Sequence, residues 1–180
     1  MGQKNWKKID ERVVYSGYRK MLRRRFVMPN NKEEDYDIVS GSDAVNIFCV
    51  TEKNKVVLIE QFRPGPEKVL RITPGGLLGE SEKPLDAAKR ELLEETGYIG
   101  EFVYLGSYLT WAYSTEKVYC FIATNCKKKK NSNHSTDPNE FINIVEIPLT
   151  KLKEEIKKGK IARTNDLLSV YMGLEYLSLI

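Results

Sequence analysis

Hydrophobic and polar residues alternate along the first forty or so positions of the chain, where Val, Tyr and Phe are prominent. A period of two is typical of strands that bury one face. The pattern predicts strands near 7–15, 19–28 and 34–40, with a Pro-Asn-Asn turn after the second strand. The N-terminal section is therefore expected to be an antiparallel β section.

The next apolar stretch, AVNIFCVTEKNKVVLIEQFR, predicts a hairpin with strands at 44–51 and 55–62. Its turn is expected at the polar tripeptide Glu-Lys-Asn between the two strands. A short strand, KVLRI, follows and is expected to end before Pro74-Gly75-Gly76. This part of the chain therefore predicts the start of a second sheet.

A helix is predicted between Pro84 and Gly97. Proline is tolerated in the first turn of a helix, and glycine is the usual residue just after a helix ends. Leu85, Ala88 and Leu92 share one face at the i, i+3, i+7 spacing of an amphipathic helix. This face is expected to pack on the sheet.

The rest of the chain predicts a mixed arrangement of strands and helices. Strands are expected at 101–110 and 116–124, followed by a polar loop at 126–139. A further strand is expected at 140–149 and a short basic helix at 150–160. An amphipathic helix is expected to close the chain, with Asn165 or Asp166 as its N-cap. The overall expectation is an α/β protein with a mixed sheet and two or three helices.

Composition places the chain among ordinary soluble globular proteins. It has 180 residues, of which 41% are hydrophobic and 30% are charged. The net charge of +4 suits an anionic ligand. No basic stripe carries interleaved aromatic residues, so the sequence predicts no nucleic-acid partner.

Cysteine usage and hydropathy predict a cytoplasmic protein. The three cysteines are an odd number without CxxC spacing, which favours a reducing compartment over a disulfide framework or a zinc site. The N-terminal residues lack the apolar region of a secretory signal. No apolar run approaches the ~20 residues of a membrane span, so no membrane association is expected.

Three glutamates, Glu91, Glu94 and Glu95, lie within five positions of the predicted helix. At 100° per residue they lie within about 100° of one another around the axis, where like charges repel. A divalent cation would turn this repulsion into attraction, because hard cations bind carboxylate oxygens. These residues alone leave open the alternative of a solvated acidic face.

The longer register is more specific than the three glutamates. It contains Gly76, five residues, Glu82, seven residues, Arg90-Glu91-Leu92, one residue, Glu94-Glu95, one residue and Gly97. This spacing resembles the Nudix box, G-x5-E-x7-R-E-U-x-E-E-x-G-U, in which U is a bulky aliphatic residue. Tyr98 replaces the last aliphatic residue. The segment VLIEQFRPGPEKVLRITPGG is similar to one branch of this family, the ADP-ribose pyrophosphatases and nucleoside diphosphate sugar hydrolases.

The resemblance implies a Nudix α/β/α sandwich, in which residues 43–180 form the hydrolase domain and residues 1–42 a β-rich dimerisation section. It implies hydrolysis of the pyrophosphate bond of a nucleoside diphosphate sugar, which gives a nucleoside monophosphate and a sugar phosphate. Mg²⁺, or alternatively Mn²⁺, is the implied cofactor, and a homodimer is the implied assembly. A domain that binds such nucleotides without cleaving them is the alternative hypothesis.

The resemblance also implies roles for individual residues. Glu91 and Glu95 would bind the metal, with Glu94 as a further ligand or as a group that holds the site together. The backbone carbonyl of Gly75 would complete this set. Arg90 is implied to pair with a glutamate of the box, and Glu82 is the expected partner.

The general base is expected in the acidic loop before a late strand. In this sequence the matching stretch is STDPNEFI, which makes Glu140 the first candidate and Asp137 the second. A solvated loop carboxylate is the alternative reading of Glu140.

Four residues are assigned to the substrate, namely Arg63, Tyr18, Trp111 and Ser114. Arg63 has the planar guanidinium that suits a diphosphate, although a strand-end salt bridge is the alternative. Tyr18 and Trp111 would stack on a base, or else serve as core or dimer contacts.

Two positions depart from the branch. Ile72 stands where the branch often has Glu, and Trp111 where it has Pro. A broader nucleoside diphosphate sugar range is therefore as compatible with the sequence as ADP-ribose.

Overall fold

The computed structural model describes residues 5–130 and 141–180, which form two compact units. The first unit contains residues 5–43 and Leu109–Lys117. The second contains the described residues of Ala44–Tyr108 and Val118–Ile180. No helix in the described part of the chain is long and apolar enough to cross a membrane.

The first unit is a three-stranded antiparallel sheet, as the alternating pattern predicted. Its strands are β1 (Lys7–Ser16), β2 (Lys20–Val27) and β3 (Glu33–Ser40), in that order. Every residue of β1 is exposed, whereas Leu22 of β2 and Ile38 of β3 are buried. The role of this section in dimerisation stays a prediction.

The segment Leu109–Lys117 ends one strand and begins the next, as expected, and it also belongs to the first unit. The backbone N–H of Val39 donates to the carbonyl of Tyr113 over 2.9 Å, and Thr115 N–H donates to the carbonyl of Val39 over 3.0 Å. The Tyr113 ring stacks on Tyr36 with 6.3 Å between centroids. These are long-range contacts, which a local sequence pattern does not encode.

The second unit contains a six-stranded mixed sheet, which confirms the predicted sheet type. Its strands are β4 (Ala44–Thr51), β5 (Lys55–Arg63), β6 (Lys68–Ile72), β7 (Tyr98–Leu109), β8 (Lys117–Lys128) and β9 (Ile142–Pro148). The order is β6-β5-β4-β8-β7, and β9 pairs with β5. The pair β4–β8 is parallel, whereas β5 is antiparallel to β4, β6 and β9.

The predicted β4–β5 hairpin forms only next to its turn, where Cys49 pairs with Val57 and Val50 with Val56. Along most of its length β4 pairs with β8, and β5 pairs with β9 and β6. Strands buried on both faces are apolar throughout, so their sequence does not reveal which neighbour they pair with.

Helices cover both faces of this sheet. The helix α1 (Pro84–Thr96) lies on one face, where Ala88 and Leu92 pack with Val45 and Ile47. The helices α2 (Leu152–Lys157) and α3 (Thr164–Tyr176) lie on the other face and pack around Phe48. The predicted α/β/α layers are therefore confirmed.

Three local expectations were wrong. Leu85 does not join the apolar face of α1, because it is 39% exposed while Ala87 is buried. The strand β8 runs into the predicted polar loop as far as Lys128. Neither Asn165 nor Asp166 caps α3, which has Arg163 at its N-cap and no side-chain cap hydrogen bond.

Candidate functional site

The loop between β6 and α1 lies along the start of β4. The carbonyl of Pro74 accepts a hydrogen bond from Ile47 N–H, and the carbonyl of Gly76 accepts one from Val45 N–H, both over 2.9 Å. Gly75 has φ = +155°, and a Cβ at this position would clash with the carbonyl oxygen of Val45. Only glycine allows this close approach of two backbones.

Two glutamates of α1 contact this loop. Glu95 is 7% exposed, and its Oε2 accepts a hydrogen bond of 2.8 Å from the backbone N–H of Gly75. The carboxylate of Glu91 lies so close to Gly76 that a Cβ on Gly76 would clash with it. The Gly-Gly sequence therefore brings the loop backbone against both carboxylates.

Arg90 lies among the other carboxylates of the site. Its Nε and Nη2 each donate to one carboxylate oxygen of Glu82 over 2.9 Å, which is the pair expected from the sequence. Its Nη1 donates to Glu91 over 2.8 Å and to Glu94 over 3.0 Å. One guanidinium therefore offsets the repulsion among three carboxylates.

The hydrogen bonds between Arg90 and Glu82 favour the charged forms of both side chains. The hydrogen bonds from Arg90 and from the backbone N–H of Gly79 lower the pKa of Glu82 to about 2. The pKa of Arg90 is raised, chiefly by the hydrogen bonds to Glu82, against the opposing effect of burial and with further support from Glu91 and Glu94. Glu82 therefore stays ionised throughout the neutral range.

A second arginine–carboxylate pair holds the start of the loop, and sequence reasoning missed its role. Asp166 of α3 is fully buried, and its Oδ1 accepts hydrogen bonds from Thr73 N–H over 3.1 Å and from Thr73 Oγ1 over 2.8 Å. Arg163 donates from Nε to Oδ2 over 2.6 Å and from Nη2 to Oδ1 over 2.7 Å. The only local signal was an Asp at the start of a helix, which the sequence pattern had suggested as a cap.

Arg163 also interacts electrostatically with Glu95 of α1. Burial opposes its charge, but the hydrogen bonds to Asp166 and the negative charges of Asp166 and Glu95 outweigh that effect and raise the pKa of Arg163. Arg163 is therefore a permanent cation whose field reaches Glu95.

The donor set fits a hard divalent cation. Glu91 and Glu94 already share one cationic nitrogen, Nη1 of Arg90, and Glu95 presents a carboxylate at the loop backbone. Among residues 5–130 and 141–180, no three His, Cys, Asp or Glu side chains are grouped closely enough to enclose a metal ion by themselves. Mg²⁺ does not require such a cage, because it keeps several waters and binds through one or two carboxylates together with substrate phosphates.

The residues assigned to the substrate are divided between the two units. Arg63 ends β5 in the second unit, whereas Tyr18, Trp111 and Ser114 belong to the first. Tyr18 is 96% exposed beside Arg19, and Trp111 is half-exposed with its ring edge against Tyr113.

The remaining assigned residues are Ser114 and the two candidates for the general base. The hydroxyl oxygen of Ser114 accepts a hydrogen bond of 3.0 Å from Glu116 N–H. Both candidates for the general base, Glu140 and Asp137, lie outside the described residues.

Comparisons with known proteins show which family this chain resembles. A family model described as the NUDIX domain matches residues 42–165. The methanol dehydrogenase activator of Bacillus methanolicus is 32% identical over 151 residues, which cover 82% of this chain and 81% of the relative. The ADP-ribose pyrophosphatase of Bacillus subtilis is 29% identical over 154 residues, with 84% and 80% covered.

A third relative and a solved structure complete the comparison. The GDP-mannose pyrophosphatase of an Enterobacter species is 34% identical over 139 residues, which cover 73% of this chain and 71% of the relative. A crystal structure described as an ADP compounds hydrolase superposes with a TM-score of 0.84 at 19% identity. It covers 97% of this chain and 95% of that one, which establishes similarity of fold.

Proposed function

Because this chain belongs to the NUDIX family and is a Nudix pyrophosphatase, we propose that it hydrolyses nucleoside diphosphate sugars with a divalent metal. The products would be a nucleoside monophosphate and a sugar phosphate. The observation that carries the proposal is the hydrogen bond from Gly75 N–H to Glu95, beside the cluster of Glu91 and Glu94 on Arg90. This arrangement supports a set of oxygen ligands gathered beside the loop.

We assign roles in metal binding to five residues of the loop and of α1. Glu91 and Glu95 would hold Mg²⁺ or Mn²⁺, with Glu94 and the carbonyl of Gly75 as further ligands. When bound, the metal would neutralise charge on the phosphoryl oxygens and lower the pKa of a water molecule. Arg90 would hold the carboxylates in place, because its planar fork binds several oxygens at once.

The general base remains a proposal that rests on the sequence. Glu140 is the first candidate and Asp137 the second. In the Glu140→Gln variant we expect the rate to fall and the limb of its pH profile that reports the base to disappear. If only Asp137→Asn has this effect, the assignment of Glu140 is wrong.

The names of two relatives and the positive net charge of the chain support the proposed substrate class. Two relatives are named for ADP-ribose and GDP-mannose, so we propose a sugar nucleotide with either ribose or a hexose. Arg63 would bind the diphosphate, Tyr18 and Trp111 would stack on the base, and Ser114 would be a further substrate contact. A homodimer and a cytoplasmic location are parts of the same proposal.

The test is a panel of ADP-ribose, hexose nucleotides and deoxynucleoside triphosphates, each with Mg²⁺, Mn²⁺ or a chelator. We expect metal-dependent release of a nucleoside monophosphate from at least one sugar nucleotide, measured by chromatography. The Glu95→Gln variant should keep its circular dichroism spectrum and lose this release. If calorimetry shows tight binding of a sugar nucleotide but no cleavage is detected, the result would instead support the alternative of a domain that binds nucleotides without cleaving them.

A further inference from the structure

Asp166 is a charged group in a place where charge is unfavourable. Its side chain is fully buried, and the partners of its carboxylate are Thr73 and Arg163. A buried ion pair is weak evidence for stability, because an apolar replacement of similar volume is often neutral or even stabilising. A role in fixing geometry is the alternative explanation for such a pair.

The geometry that Asp166 fixes belongs to the loop. Thr73 is held through both its backbone N–H and its hydroxyl, and it lies two residues before Gly75. Gly75 is in turn held by Glu95 of α1. Two helices on opposite faces of the sheet therefore anchor the same short segment, one at each end.

Arg163 completes this connection. Its guanidinium binds both oxygens of Asp166, which orients the carboxylate toward Thr73. A bidentate fork of this kind restricts rotation of the carboxylate more than a single contact does. Asp166 therefore presents a fixed acceptor to Thr73.

We propose that Asp166 and Arg163 are positioning residues for the metal centre, acting through Thr73 on the place where Gly75 meets Glu95. In this role they would act through Thr73 and would need no contact of their own with the metal or the substrate. The proposal rests on the proposed function, since it assigns these residues to the metal site of the same enzyme. It predicts that their loss weakens metal binding and turnover while leaving the Michaelis constant for the nucleotide largely unchanged.

The principal variant is Asp166→Asn, which keeps the volume and removes the charge. We expect its Mn²⁺ affinity, measured by electron paramagnetic resonance without substrate, to fall roughly 10–100-fold, as is typical for loss of a group that orients metal ligands. We expect kcat to fall by a similar factor. An affinity and a kcat that both stay within about twofold of wild type would overturn the proposal, since that change is well below the effect of losing an orienting group.

The matched control is Glu155→Gln. Glu155 of α2 binds Arg71 of β6, which lies two residues before Thr73. Within residues 5–130 and 141–180, the carboxylates that Arg71 binds are those of Glu155 and Glu60. Like Asp166→Asn, this control replaces one carboxylate that is paired with an arginine. We expect it to lower thermal stability without changing Mn²⁺ affinity. Equal losses of Mn²⁺ affinity in both variants would show a general structural effect and overturn the proposal.

A milder pair of variants covers the case in which Asp166→Asn does not fold. Thr73→Val removes the hydroxyl and keeps the backbone N–H, whereas Thr73→Ser keeps both hydrogen bonds. We expect weaker Mn²⁺ binding in Thr73→Val and wild-type binding in Thr73→Ser. Equal affinities in these two variants would contradict the positioning role.

The metal measurement separates this proposal from the proposed function. If the wild-type protein binds Mn²⁺ but cleaves no nucleotide sugar, the proposed function fails and the affinity comparison still decides the positioning role. If the wild-type protein binds no Mn²⁺ either with or without a nucleotide sugar, and cleaves none, both proposals are overturned.

Discussion

Arginine–carboxylate pairs occur in both units of the chain, but their surroundings differ. In the first unit, Arg23 and Asp37 are direct cross-strand neighbours that pair over 2.8 Å on the surface. In the second unit, Arg163 pairs with Asp166 over 2.6 Å, and the carboxylate has no exposed surface. The same kind of arginine–aspartate ion pair therefore occurs once at the solvent-exposed surface and once with its carboxylate in the protein interior.

The difference shows what each pair can do. An exposed pair gains little because water screens it and because two long side chains must be ordered, so it mainly favours the correct strand register. A buried carboxylate must instead satisfy its oxygens with protein donors, which ties it to a defined backbone position. The first unit therefore uses charge along a surface, and the second uses it to fix a loop.

The largest expected effect comes from Gly75→Ala. The new Cβ would clash with the Val45 carbonyl, and the positive φ is unfavourable for alanine. We expect a loss of stability of about 1–3 kcal/mol together with loss of metal binding, measured by thermal unfolding and calorimetry. Gly65→Ala is the control, since a Cβ added there would have no heavy atom within 4 Å outside its immediate chain neighbours. Equal behaviour of the two variants would contradict the role of the loop.

The next effect is expected for Arg90→Lys. A lysine ammonium cannot reproduce the fork that binds Glu82, Glu91 and Glu94 together. We expect kcat to fall roughly 10–100-fold with the fold intact by circular dichroism. Arg23→Lys in the first unit is the matched control and should leave kcat unchanged, so a similar loss there would show that position within the site does not matter.

A smaller effect is a pH-dependent contribution of Glu82 to stability. Its pKa is lowered from 4.5 to about 2, so its stabilisation is fully present above pH 4.5 and is lost as the pH falls from 4.5 towards 2. We expect the stability difference between wild type and Glu82→Gln to shrink over that interval, measured by denaturant unfolding. A difference that is constant with pH would be inconsistent with an ionised Glu82.

The corresponding variant in the first unit is Glu11→Gln. Hydrogen bonds from Arg24 and Lys8 lower the pKa of Glu11 in the same direction. Because this group is on the surface, we expect a smaller pH dependence that high salt suppresses further.

The smallest effect is expected for Asp37→Asn. Its carboxylate pairs with Arg23, and that hydrogen bond is the main cause of its lowered pKa, but both side chains are exposed. We expect no resolvable change in the midpoint of thermal unfolding at high salt and only a slight decrease at low salt. A large decrease at both salt concentrations would mean that the surface pair contributes as much as a buried one, and the contrast between the two units would fail.

The sequence predicted the features that depend on nearby residues. Alternation located the strands, and Pro84 and Gly97 located the ends of α1 to within one residue. The resemblance of the motif implied the contact of Arg90 with Glu82, two residues that are only eight positions apart. The family was identifiable for the same reason, since its motif is a local pattern.

Only the tertiary structure decided the partners of β4, the inclusion of residues 109–117 in the first unit, and the bond from Thr73 to Asp166. Thr73 and Asp166 are 93 positions apart, and Asp166 at the start of a helix has the same local sequence whether it caps that helix or binds a distant loop. Which of these occurs depends on which surfaces are buried together. That choice is made by the packed sheet and its two helical layers, because only burial forces a carboxylate to find a partner across the fold.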